Sequence, residues 1–352
     1  MAPFRSSLAR TVGKLFGVAK ETDLSLRGDV QSLRTPPPII PPVEASGGTE
    51  ITSGNKKYHV FLSEPEQNFS VTASGACEIL VVAGGGSGGY FYGCGGGAGG
   101  VVHAPGFPVE AGTTYKVSAG AGALARPNST GSGNSNGSPS YFKPSPAPAA
   151  PSATNLFAMK GGGGGYSGDP ETWMNPILPE IGSSGGQVSP SDTSYRTPQF
   201  PNSTQHPTGL KYSNIGSADL PGTRGGGGGG AGGGGGPNQD GGITTPASPG
   251  GAGRAFPSFP APVIAPAIPS PERSAWTTAV GPTGLFAGGG AGYGWPSSVS
   301  GAPGGGGGWF NPEASGDHNG VNYTGGGGAG PNPGPGTGGK GIVIVTYPTE
   351  PG

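Results

Sequence analysis

Seven runs of glycine constrain this chain more than anything else in it: Gly84–Gly86, Gly95–Gly97, Gly161–Gly165, Gly225–Gly236 (broken once, by Ala231), Gly288–Gly290, Gly304–Gly308 and Gly325–Gly328. Glycine loses more conformational freedom on folding than any other residue, so an ordered run needs a compensating interaction. Polyproline II geometry supplies one. It has three residues per turn, a rise of about 3.1 Å and no internal hydrogen bonds, so its N–H and C=O groups point outward. Rods without side chains can approach closely and pair those groups laterally, at about 1 kcal/mol net per bond. Many bonds are then needed, which accounts for many tracts. The spacing predicts a rod bundle, with Gly225–Gly236 as its longest member at roughly 37 Å and Ala231 facing outward.

Composition sharpens this reading. Glycine contributes 79 residues and proline 41 of 352, far above ordinary usage. The glycines are not at every third place, which excludes collagen. The density of both residues excludes an ordinary α/β enzyme. Only 11% of residues are charged and the net charge is −1, unlike the highly charged chains that stay unfolded. That balance gives no footprint for nucleic acid, and no stretch is long and apolar enough for membrane insertion. Cys77 and Cys94, and the scattered His59, His103, His206 and His318, have no metal-ligand spacing.

Strand-like runs frame the tracts. Tyr58–Leu62, Asn68–Thr72, Cys77–Val82, Gly99–His103 and Thr113–Val117 are rich in branched and aromatic residues. A last run, Gly341–Tyr347, is apolar enough to be buried, most simply beside Ile79–Val82. The predicted fold class is therefore mainly β and irregular: a small antiparallel β module, a polyglycine II-like rod bundle with long loops, and a short N-terminal helix. The predicted organisation is 1–35 helical docking segment, 36–56 proline-rich spacer, 57–145 β module with the first tracts, 146–339 rods and loops, and 340–352 closing strand and tail.

The helix prediction rests on Phe4, Leu8, Val12, Leu15 and Phe16 at helical spacing, in a segment of net charge +3 against −4 for the rest. A transit peptide, a membrane-surface helix and a plug for another protein's groove all fit that pattern. No enzyme chemistry emerges. Gly84–Gly89 formally satisfies GxGxxG, but Tyr90–Gly97 cannot supply the helix that a pyrophosphate site requires. Asp317–His318 and the Asp169/Glu171 pair sit in turn-forming sequence. Neither catalytic residues nor a cofactor is predicted. Inter-tract aromatics either cap the rods or offer a binding face, since Trp and Tyr give large contact area at low entropy cost. The candidate partner-binding residues are Tyr166, Trp173, Tyr195, Tyr212, Trp276, Trp295, Trp309 and Tyr323.

Ile79–Gly89 resembles the opening of the glycine-rich domain of phage tail fibres and other virion proteins. The similarity continues through Gly95–Val102, Val109–Gly120, Ser140–Phe142, Phe157–Gly165 and Gly338–Tyr347. Val12–Val18 with Thr22–Asp29 is similar to leaders on marine-phage structural proteins, which favours docking for residues 1–35. The resemblance implies a non-enzymatic virion protein. In a tail-fibre or adhesin component the loops would meet a host surface receptor, while the N-terminal segment binds other virion proteins. A capsid decoration or head fibre anchored by its N-terminus, and a secreted glycine-rich matrix protein, are the alternatives; a homo-oligomer is compatible with each.

Overall fold

The computed structural model describes residues 42–62, 64–90, 93–125, 135–146, 155–164, 182–186, 210–217, 225–236, 247–294, 298–308, 318–330 and 334–350. The predicted N-terminal helix and its Phe4, Leu8, Val12, Leu15 and Phe16 lie outside the described residues.

Two antiparallel sheets pack face to face. One has the order β1-β4-β7-β8-β9, from Glu44–Ser46, Gln67–Ala73, Thr114–Ser118, Ser140–Ser145 and Leu156–Ala158. The other has the order β10-β6-β5-β13-β3-β2, from Leu210–Tyr212, Val101–Val109, Gly75–Val82, Ile342–Pro348, Lys56–Phe61 and Thr49–Ser53. A separate two-stranded ribbon pairs β11 (Arg254–Ala255) with β12 (Leu285–Phe286). Alternation sorts the side chains. From β5, Cys77, Ile79 and Val81 enter the inter-sheet core with Phe69, Phe107 and Phe142. Leu80 and Val82 enter a second core on the opposite face. Strand β13 divides the same way, Val343 and Val345 to one core and Ile342 and Ile344 to the other. It lies between β5 and β3, with Ile342 opposite Val82 and Val345 opposite Ile79, so the last strand in the chain is central in the sheet.

Three features depart from the predicted organisation. Residues 42–56 are not spacer: β1 and β2 occupy most of them, because Val43 and Ile51 pack on the two cores. The sheets also extend beyond 57–145, since β9 and β10 are edge strands contributed by the rod region. Finally, that region contains helices, α1 (Ala261–Ile264) and α2 (Ser270–Val280), joined by a 3-10 turn at Ala265–Ala267. Pro271 and Glu272 suit the first turn of α2, and Gly281 ends it with φ 59°. Trp276 and Val280, one turn apart, bury its inner face on the second core.

Between β5 and β13 the chain forms a lattice of rods whose hydrogen bonds repeat every three residues. In the first rod, Gly84 and Ser87 donate to Ser138 and Ser135, Gly85 and Gly88 to Gly339 and Gly336, and Gly86 and Gly89 to Gly97 and Cys94. In the second, Gly95 and Ala98 donate to Gly226 and Gly229, Gly96 and Gly99 to Gly328 and Gly325, and Gly97 and Gly100 to Gly162 and Met159. A rod with three residues per turn thus meets three neighbours in rotation. Gly288–Tyr293 does the same, reaching Gly304 and Gly307, Gly251 and Ser248, and Gly96 and Gly93.

The longest tract behaves differently from expectation. Gly227 donates to Gly236 and Gly230 to Gly233, so the run folds back at Ala231–Gly233 instead of forming one rod. Ala231 is also not outward: it is 3% exposed and joins the second core.

Close approach is what demands glycine within the rods. A Cβ on Gly290 would lie 2.0 Å from the Gly328 carbonyl oxygen, whereas one on Gly334 would meet nothing within 4 Å. Gly290→Ala is expected to cost more than about 4 kcal/mol, the range reserved for disrupted cores, and Gly334→Ala to stay within about 0.5 kcal/mol. Paired denaturant titrations check this; equal midpoints for the two variants would contradict a close-packed lattice.

Candidate functional site: the loop-bearing end of the lattice

Gly84 follows β5 after a single residue, so the rod Gly84–Gly89 runs away from the sheets, and its register gives the height of its neighbours. Level with its far end are Ser135, which accepts from Ser87, Gly164, which donates to Ser87, and Gly336, which accepts from Gly88. Around Gly93–Gly95 at the same end lie Tyr293, Gly186 and Gly226. Gly330 bonds to Ala291, Gly292 to Ser248 and Ala329 to His318, adding three more chain segments to this layer. These residues adjoin the segments 91–92, 126–134, 165–181, 187–209, 218–224, 237–246, 295–297, 309–317 and 331–333, which lie outside the described residues. Each of those segments has at least one attachment point at the end remote from the β module.

That end has its own small apolar cluster, Ala247, Ala291, Tyr293 and Ala329, with Val299 packed against it. Edge rods are closed by side chains. Asn319 Oδ1 accepts from Thr337 N (2.9 Å), Asn322 Oδ1 from Lys340 N (3.4 Å) and Asn136 Oδ1 from Gly163 N (3.0 Å). Asn319 and Asn322 are three apart and serve residues three apart, the period of the rod again.

The candidate aromatics divide. Tyr166, Trp173, Tyr195, Trp295 and Trp309 lie outside the described residues, in segments attached to this end. Tyr212, Trp276 and Tyr323 lie near the sheets instead. Trp276 is fully buried, and its Nε1–H donates to the Tyr323 carbonyl at 2.9 Å. It is a core residue and offers no binding face. Tyr323, 6% exposed and at φ 63°, packs in the same core beneath the Lys340 ammonium, 5.5 Å from the ring centroid. Tyr212 pairs with Val101 across the edge of the larger sheet, with the Arg254 guanidinium 3.9 Å above its ring. Sequence reading passed over Tyr90, which is half-buried beside the far end of the first rod; its position just after a tract was the available signal.

Among the described residues no three His, Cys, Asp or Glu side chains converge on one point. Burial pushes the Cys77 thiol up to about 12, so it stays protonated at neutral pH. Glu78 pairs with His103 at 2.9 Å on the larger sheet. Burial works to raise the Glu78 carboxyl, but hydrogen bonds from His103 and Ser258 and the nearby Lys56 outweigh it and hold the group below its ordinary value. His103 packs edge-on against Phe256 and Phe259, which makes the pair a polar stitch between sheet and helical cap. No helix among the described residues is long and apolar enough to cross a membrane.

Trp276→Ala is expected to cost about 3–5 kcal/mol, the range for deleting a buried aromatic. Denaturant unfolding measures it; an unchanged midpoint would return Trp276 to the list of contact residues.

Comparison with curated proteins finds no match. The glycine-rich domain family matches residues 64–348, well over half of the chain. The chain belongs to the glycine-rich domain family.

Proposed function

We propose that this chain is a non-enzymatic phage virion structural protein, a tail-fibre or adhesin component that contacts a host surface receptor through its inter-tract segments. The observation that carries this reading is the common end of the lattice from which those segments leave. A scaffold that gathers many chain excursions at one end suits recognition, because binding residues are commonly carried on loops held by a rigid frame. Tyr166, Trp173, Tyr195, Trp295 and Trp309 belong to those segments, and aromatic residues of this kind dominate binding energy at interfaces. The β module and helical cap occupy the other end. Residues 1–35, with Phe4, Leu8, Val12, Leu15 and Phe16, are assigned to docking on other virion proteins, and the virion is the proposed location.

The test is binding of the fluorescently labelled full chain to a panel of bacterial strains. Saturable binding to a subset of strains is expected. The combined variant Trp173→Ala, Trp295→Ala, Trp309→Ala should lower it at least about tenfold, as loss of hot-spot aromatics does, with unchanged unfolding temperature. Equal binding by the variant would remove the aromatics from the interface. Binding to no strain, together with retention of the chain on isolated capsids, would favour the decoration reading.

A further inference from the structure

The chain holds two Asn–Gly steps, Asn136–Gly137 and Asn319–Gly320, and both lie on edge rods of the lattice. In each, the asparagine is exposed and the glycine is buried. The two residues act together as a clamp. Asn319 Oδ1 accepts from Thr337 N at 2.9 Å and from the Thr337 hydroxyl at 3.0 Å, while Gly320 N–H donates to the Thr337 carbonyl at 2.8 Å. Asn136 Oδ1 accepts from Gly163 N at 3.0 Å, while Gly137 N–H donates to the Gly161 carbonyl at 3.1 Å. Each step thus grips one neighbouring segment twice, once by the side chain and once by the next backbone nitrogen.

Asparagine before glycine is also the pair best placed to react with itself, because glycine has no Cβ to hold its nitrogen away from the side-chain amide. Once Gly320 N–H is released, hydroxide takes its proton and the nitrogen attacks Asn319 Cγ. The Cγ–Nδ2 bond breaks, and the leaving nitrogen takes a proton from water to depart as ammonia. Water then adds to one of the two carbonyls of the cyclic imide. Breaking the nitrogen–Cγ bond gives aspartate. Breaking the bond to the α-carbonyl carbon gives isoaspartate, whose main chain runs through Cγ. In the closed clamp Thr337 engages both the nitrogen and the side-chain oxygen, so the attack waits until the rod opens.

We propose that these two steps are one-way covalent switches of the lattice edge: opening of the rod permits ring closure, and the isoaspartyl product cannot clamp again. The reason is geometric. In aspartate, Oδ1 stays on a free side chain and accepts from Thr337 N as before. In isoaspartate, Oδ1 and the Gly320 N–H belong to one peptide group, which is planar and trans, so they point in opposite directions. They cannot both reach Thr337. The same holds at Asn136, whose two partners, Gly161 and Gly163, lie on one tract. Asn322 is an internal control. It closes the same rod as Asn319, its Oδ1 accepting from Lys340 N at 3.4 Å, but it precedes Tyr323, whose Cβ crowds the attack.

The test keeps the full chain in mildly alkaline buffer, either folded or in urea, and separates asparagine, aspartate and isoaspartate at 136, 319 and 322 by peptide mapping. Conversion at 136 and 319 is expected to be at least about tenfold slower in the folded chain, because it requires local opening. Position 322 should convert far less than either in urea. Gly336→Ala, which drives a methyl into the His318 carbonyl oxygen, should speed conversion at Asn319 and leave Asn136 slow. Hydrogen exchange of the isolated products completes the test: the isoaspartyl chain should lose protection across 318–322, and the aspartyl chain should keep it. Conversion as fast folded as in urea, a folded Gly336→Ala chain with Asn319 no faster, or an isoaspartyl chain as protected as the unmodified one would each overturn the proposal. Should Gly336→Ala not fold, the wild-type rates and the exchange of its two products decide.

Discussion

A buried peptide group must be hydrogen-bonded, and in the rod lattice that requirement replaces the usual one of apolar packing. Each rod turns its N–H groups through three directions, so its neighbours must stand on all sides at bonding distance. At that spacing there is no room for a Cβ wherever two rods face each other: one on Gly96 would come within 2.3 Å of the Gly86 carbonyl oxygen, and one on Gly328 within 2.3 Å of Gly336. The glycine tracts are therefore a packing requirement. Their flexibility is a cost the lattice has to overcome.

A lattice of weak bonds with a large entropic cost needs its rods aligned from outside. Strands β5 and β13 do this by passing straight into Gly84 and out of Gly341, adjacent in one sheet and buried on both faces. Small side chains complete the join. Ala98, Ala231 and Ala287 belong to rods or their turns, yet their methyl groups enter the core shared by the larger sheet and the helices. Alanine appears where a rod faces apolar side chains, and glycine where it faces another rod. The helical cap then shields this core from water, with Trp276 bonded to the chain just before Gly325.

That division explains which parts of the structure were legible in the sequence. Alternating runs such as Cys77–Val82 and the apolar Gly341–Tyr347 announce strands because their burial follows from local period. A glycine run announces a rod for the same local reason. Which rods meet is a property of three dimensions, so Gly225–Gly236 read as one rod although it reverses. Segments outside the seven glycine runs, including Ser135–Pro139 and Gly182–Gly186, gave no sign that they would complete the lattice through Ser138 and Ser183. The helices were masked by prolines that here occupy first turns, and Trp276 and Tyr323 looked like loop aromatics only because the helix and the turn that bury them went unread.

The candidate site inherits its character from the same physics. Among the described residues the rods are held to their neighbours by backbone bonds. The connecting segments differ widely in length, from two residues at 91–92 to twenty-three at 187–209. Loop closure entropy grows only slowly with length, each doubling adding about 0.6 kcal/mol, so such insertions disturb the lattice little. For the function proposed, this separates two demands that compete in an ordinary domain. Residues that face a variable partner can change in type and number, while glycines at rod-to-rod contacts such as Gly290 and Gly328 have no room for a single methyl group.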